Sequence, residues 1–124
     1  MTKTAKKPDP KKDGALAALI RISRAVGEDP LVVQGGGGNT SVKTADGRHM
    51  YIKASGTALK SMNAREGWRR MRIDAVMGIL EDPALARLDV AAREAEVVRR
   101  LQLGCEDDVA PEARPSVEAH LHAL

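Results

Sequence analysis

Four consecutive glycines, Gly35, Gly36, Gly37 and Gly38, run directly into Asn39, Thr40 and Ser41. A run of this kind does not sit inside a helix or a strand, because each glycine costs about 1 kcal/mol relative to alanine in a regular element. It is a loop, and the rest of the chain has to fold around it. Oligoglycine suits places where backbone approaches something closely or takes a positive φ, and its bare N–H groups can form an anion-binding nest. Asn39, Thr40 and Ser41 add side-chain donors, and Lys43 adds a positive charge. A plain hairpin connection could use the same glycines. The Gly-Lys-Ser/Thr of a P-loop is missing, and a strand-like segment stands where the dinucleotide fingerprint requires a helix.

Around this loop the apolar pattern predicts a mixed α/β chain. Leu16, Leu19, Ile20 and Val26 lie at helical spacing behind Asp13, a candidate N-cap, with Gly27 and Pro30 as stop signals. Leu31, Val32 and Val33 form a short strand-like run into the glycines. Residues 39–43 and 49–55 read as strands joined at an Asp46-Gly47 turn, with Gly56 ending the second. A helical turn over 57–62, a further strand over 68–73 and a short helix over 75–80 follow. Pro83 then opens a helical reading that continues to Leu103, with Leu85, Leu88, Ala92, Ala95, Val98 and Leu101 on one face and Gly104 as the stop. Residues 105–114 read as an acidic loop, and Ser116 as the N-cap of a last helix.

Composition narrows the classes of function. At 124 residues, 43% hydrophobic and 30% charged, the chain has the size and balance of one globular domain. Residues 1–14 carry five lysines against two aspartates, which accounts for the whole net charge of +3; residues 1–13 read as a flexible basic leader. Tyr51 and Trp68 are the sole Phe, Tyr or Trp rings, too few to stack bases, so no nucleic-acid partner is expected. The longest apolar run covers residues 15–20, well short of the roughly 20 residues that span a bilayer. No secretory signal pattern is present. A cytoplasmic protein without a membrane partner is the expectation. A single cysteine, Cys105, excludes a disulfide framework and a multi-cysteine metal knuckle.

Two further donor-rich turns accompany the glycine loop. Ser55-Gly56-Thr57 follows Lys53, and Pro115-Ser116-Val117 opens the last helix, where unpaired N–H groups and the helix dipole favour anions. Three such turns in one short chain point to a phosphate pocket. Glu118 stands beside the third; facing a pocket it would serve as a general acid/base, and otherwise it merely complements the dipole. His120 and His122 point about 200° apart on a helix and cannot hold one ion together, so they read as solvated or packing histidines. Cys105 reads as a buried or incidental thiol.

Three ordered motifs carry a resemblance to a known family: Gln34-Gly35-Gly36-Gly37-Gly38-Asn39-Thr40-Ser41-Val42-Lys43, then Met50-Tyr51-Ile52-Lys53-Ala54-Ser55-Gly56-Thr57, then Arg114-Pro115-Ser116-Val117-Glu118 with His122 four residues on. They resemble the class II aldolase/adducin family, and most of all the rhamnulose-1-phosphate aldolase half of bifunctional aldolase/short-chain dehydrogenases. The resemblance makes residues 14–124 the N-terminal portion of such a domain. It implies a three-layer α/β/α fold with a largely antiparallel central sheet, incomplete in this chain. It also implies zinc-dependent cleavage of a ketose 1-phosphate to dihydroxyacetone phosphate and an aldehyde, by a homotetramer with sites near subunit interfaces. Carried over by motif, Gly38, Asn39, Ser55, Gly56 and Ser116 would bind the substrate phosphate, and Glu118 would be the acid/base carboxylate beside the metal. Val117 stands where many members have a second serine. The family's zinc histidines, a His-x-His on a strand and another further on, follow later, so this chain is expected to hold no metal ligand. It is expected to be truncated and inactive alone, and marginal or oligomeric because its sheet lacks partners. Alternatives within the resemblance are a sugar-phosphate epimerase or dehydratase and a non-catalytic adducin-like interaction domain. Outside it stands a small phosphate- or nucleotide-binding module.

Overall fold

Helix α1 spans Ala15–Gly27 and buries Ala15, Leu16, Leu19 and Ser23, one stripe of the 3.6-residue repeat. The computed structural model describes residues 14–29, 38–109, 113–116 and 118–124. The basic leader, Asp13, the strand-like run 31–33, glycines 35–37 and Val117 lie outside them. Gly14 occupies the N-cap position of α1 with φ +83°, a conformation that glycine adopts without strain. At the other end Gly27 packs against the 3₁₀ turn Leu59–Ser61: a β-carbon there would lie 2.5 Å from the backbone nitrogen of Lys60. Its role is therefore a close approach as well as a stop.

Strands β1 (Ser41–Lys43), β2 (His49–Lys53) and β3 (Trp68–Arg72) form an antiparallel sheet in the order β1-β2-β3. Val42 faces Tyr51 across the first pair, and Tyr51 faces Arg70 across the second. The β1–β2 turn forms as the Asp46-Gly47 pair predicts. Thr44 Oγ1 donates to Asp46 Oδ1, which also accepts from the N–H of Arg48, and Gly47 takes φ +72°. The segment from Gly104 to Glu106 then lies along β3, where the Arg72 N–H donates to the carbonyl of Gly104 and the Glu106 N–H to that of Arg70.

Alternation along β2 divides the core. Met50, Ile52 and Met71 pack beneath α2 (Ile73–Leu80), α3 (Val90–Leu103) and α4 (Ala119–Ala123), through Val76, Ile79, Leu101 and Ala119. Tyr51 and Trp68 turn to the opposite face, against Leu16 and Leu19 of α1, with their rings edge to face at 5.2 Å. The chain is thus a mixed α/β structure with helices on both faces of a three-stranded antiparallel sheet. No helix among the described residues is long and apolar enough to cross a membrane.

Two helical expectations need correction. The stretch 83–103 is not continuous: a 3₁₀ turn, Pro83–Arg87, is followed by a fresh start at α3. Asp89 breaks the helix because its carboxylate accepts from the Ala92 N–H at 2.8 Å and caps a new one. Ala92 and Ala95, expected on the buried face, are exposed; Leu101 faces the core as expected, and Val97 packs there beside it. The last helix starts later than expected. Glu118 holds its N-cap position, while Ser116 lies ahead of it and its hydroxyl accepts from the Glu118 N–H.

Candidate functional site

One residue of β2 organises the meeting of the three motifs. Lys53 donates its backbone N–H to the carbonyl of Thr40 at 3.1 Å, and its own carbonyl accepts from the N–H of Ser116 at 3.2 Å. The next pairs continue the contact: Ala54 bridges Pro115, and the Ser55 N–H donates to the Arg114 carbonyl at 2.7 Å. The end of the glycine loop, the Ser-Gly bend and the Pro-Ser turn are therefore brought to one end of the sheet. Gly38 and Gly56 both take positive φ there, +90° and +82°, so alanine is strained at either position.

Side chains complete the convergence. Asn39 Nδ2 donates to Ser116 Oγ and to Glu118 Oε1, the second at 2.8 Å. Its two hydrogens serve one acceptor each, while Asn39 Oδ1 is buried without a hydrogen-bond partner. Ser116 Oγ accepts twice, from Asn39 and from the Glu118 N–H. A hydroxyl has two lone pairs and one proton, so this leaves the Ser116 O–H to be donated. Of the residues singled out in the sequence, Asn39, Ser116 and Glu118 touch one another, and Ser55 is joined to them through backbone.

Other expected donors are engaged elsewhere. Thr40 Oγ1 shares a hydrogen bond with buried Ser23 Oγ at 2.6 Å, which ties the loop to α1. Ser41 Oγ meets His122 Nδ1 at 2.6 Å, which ties β1 to α4. Lys43 is exposed at the end of β1. Lys53 is buried, and loss of hydration lowers the pKa of its amine. The two large surface cavities, about 530 and 550 Å³, contain none of the motif residues that converge here. Tyr51, Trp68 and Asp107 line one and the Asp46–His49 turn lines the other, with charges of both signs in each.

Zinc does not fit the residues described. Among them no group of three or more His, Cys, Asp or Glu side chains is placed to hold an ion. His122 is bonded to Ser41, and the side chain of His120 lies outside the described set. Cys105 is no nucleophile either. Burial pushes its thiol up to about 11, and Sγ contacts the Leu101 carbonyl at 3.6 Å. Iodoacetamide at pH 8 is expected to label the native chain roughly a few hundredfold more slowly than free cysteine, whose pKa is about 8.5. The rate should climb about tenfold per pH unit toward 11, as thiolate forms. Fast labelling of folded protein at pH 8 would contradict the burial.

Arg69, Asp107 and Gln102, which also tie these segments together, carry no motif of their own and act across 11 to 44 residues of separation. Their residue types alone do not announce a partner.

No family model matches the chain, and no solved structure does. It is similar to a Bacillus subtilis (strain 168) protein named "uncharacterized oxidoreductase YuxG", with 31% identity over 113 residues. The match takes in 86% of this chain and spans 15% of the relative's length.

Proposed function

We propose that this chain carries the phosphate-holding and acid–base portion of a class II aldolase-type site acting on a phosphorylated ketose, within a three-layer α/β/α fold of that family. The observation that supports it is the junction of Asn39, Ser116 and Glu118, drawn from loops almost 80 residues apart. It pairs a donor-rich turn for an anion with a carboxylate that can move a proton. The backbone N–H groups of Gly38, Asn39 and Gly56 and the Ser116 hydroxyl hold the phosphoryl group, while the Asn39 side chain fixes Ser116 and Glu118 in place. Glu118, exposed at the start of α4, faces the reacting carbon chain and exchanges the proton. The zinc of the family has no ligand set among the described residues, and no step here runs through it. The oxidoreductase name of the Bacillus relative is compatible with this reading. The resemblance is to one half of bifunctional aldolase/dehydrogenases, and this chain spans only 15% of that relative.

Titration of the ¹⁵N-labelled chain with inorganic phosphate and with dihydroxyacetone phosphate tests the proposal. The amides of Gly38, Asn39, Ser55, Gly56 and Ser116 are expected to shift together on one isotherm. Asn39→Ala removes the side-chain amide that holds Ser116 Oγ and Glu118 Oε1 in place and should weaken binding roughly tenfold, the weight of about one hydrogen bond. Motionless resonances at millimolar ligand would remove the sugar-phosphate reading.

A further inference from the structure

Arg69 and Asp107 form an ion pair that is almost completely withdrawn from water. Their side chains are 6% and 2% exposed, and Arg69 Nε meets Asp107 Oδ2 at 3.0 Å. Such a pair is an expensive way to stabilise a core, since two apolar residues of similar volume often do as well or better. Its partners indicate another role. Asp107 Oδ2 also accepts from the Arg70 N–H at 2.8 Å, and Oδ1 from the Val109 N–H at 3.0 Å. The carboxylate thereby pins the start of the connector that leaves the edge of β3. Arg69 Nη1 reaches the carbonyl of Ala113, and Gln102 Nε2 of α3 donates to the same carbonyl at 3.1 Å. Ala113 immediately precedes Arg114 and Pro115, which pair with Ser55 and Ala54, and Ser116 follows them.

We propose that the buried Arg69–Asp107 pair is the positioning device of the site, fixing both ends of the 107–113 connector so that Ser116 and Glu118 arrive at Asn39. The inference rests on the site assignment above and extends it to two residues that touch no substrate. A guanidinium suits this place because its fork serves a carboxylate and a backbone carbonyl at once, which an ammonium point charge does not. An apolar pair would fill the volume but leave the N–H groups of Arg70 and Val109 without this acceptor and the Ala113 carbonyl held by Gln102 alone.

The test reads geometry without any ligand. In the full chain, the Asn39 side-chain amide resonance is expected to shift on Glu118→Ala, which removes the carboxylate to which it donates. The double variant Arg69→Met with Asp107→Leu removes both charges together and is expected to melt near the wild-type temperature. It should lose the Asn39 response to Glu118, and its affinity for inorganic phosphate should fall about tenfold or more. A folded double variant that keeps the Asn39 response overturns the proposal and leaves the pair as core filling. Should the double variant fail to fold, Arg69→Lys decides. It keeps the charge but not the fork, and a weakened Asn39 response supports positioning, while an unchanged one overturns it. Absence of phosphate binding by the wild-type chain would count against the site assignment alone, because the Asn39 response is measured without phosphate.

Discussion

Gly27→Ala is expected to lower the melting temperature by roughly 5–10 °C, although alanine is the better helix former. Propensity alone favours the change by about 0.5–1 kcal/mol. Against it stands a steric conflict with atoms that cannot swing aside. The new β-carbon would lie 2.5 Å from the Lys60 backbone nitrogen, 2.8 Å from Leu59 Cβ and 3.0 Å from the Leu59 carbonyl carbon. Leu59 is almost completely buried, so the 3₁₀ turn has nowhere to go without disturbing the core. Overpacking of this kind costs about 1–3 kcal/mol, with backbone contacts at the upper end, and each kcal/mol moves the melting temperature by roughly 4 °C in a chain of this size. Gly78 supplies the control. It lies inside α2, exposed, and a β-carbon there meets nothing within 4 Å. Gly78→Ala should therefore raise stability by about 0.5–1 kcal/mol. Opposite signs for two helical glycines, in thermal melts followed by circular dichroism, are the result that the packing of α1 on Leu59–Ser61 requires. Stabilisation by both substitutions would show that α1 does not dock there.

What could be read from the residues alone follows a physical rule. Local chemistry was legible. The Asp46-Gly47 pair makes a turn through hydrogen bonds confined to residues 44–49, and β2 and β3 show themselves by composition and punctuation. The helix–helix break at residue 89 was harder, because Leu85, Leu88, Ala92 and Ala95 imitate a continuous stripe. Alanine is small enough to sit on either face, so it votes for a period without fixing which side is buried. Asp82 and Asp89, each capping a backbone N–H two or three residues on, were the correct local signal against that stripe. At the site, Asn39, Ser116 and Glu118 were found as residue types suited to an anion and a proton. Their mutual contact, the engagement of Thr40 with Ser23, and the Arg69–Asp107 pair depend on tertiary approach. No residue in those pairs reveals its partner through spacing. Thr40 and Ser41, two of the expected donors, instead hold elements of the fold together, Thr40 through Ser23 and Ser41 through His122.

Glu118→Gln separates holding a substrate from turning it over. In a protein that joins this segment to the family's metal histidines, kcat for cleavage of a ketose 1-phosphate is expected to fall roughly 10²- to 10⁴-fold, the usual weight of a general acid/base. Glutamine is the informative replacement because its carboxamide oxygen can still accept from Asn39 Nδ2, now 2.8 Å from Glu118 Oε1. The Glu118 N–H continues to reach Ser116 Oγ at 3.1 Å, so the hydroxyl keeps both of its incoming donors. Geometry is retained and the ionisable proton is lost. Inorganic phosphate should bind the variant as tightly as the parent, or more tightly, because a negative charge has been taken from beside an anion. Asn39→Ala should show the converse, with a weaker hold on phosphate and a smaller loss of kcat at saturation. A Glu118→Gln variant that loses phosphate affinity in step with kcat would place the carboxylate in the holding machinery. A variant with both constants near the parent's would leave Glu118 as the N-cap of α4 and nothing more.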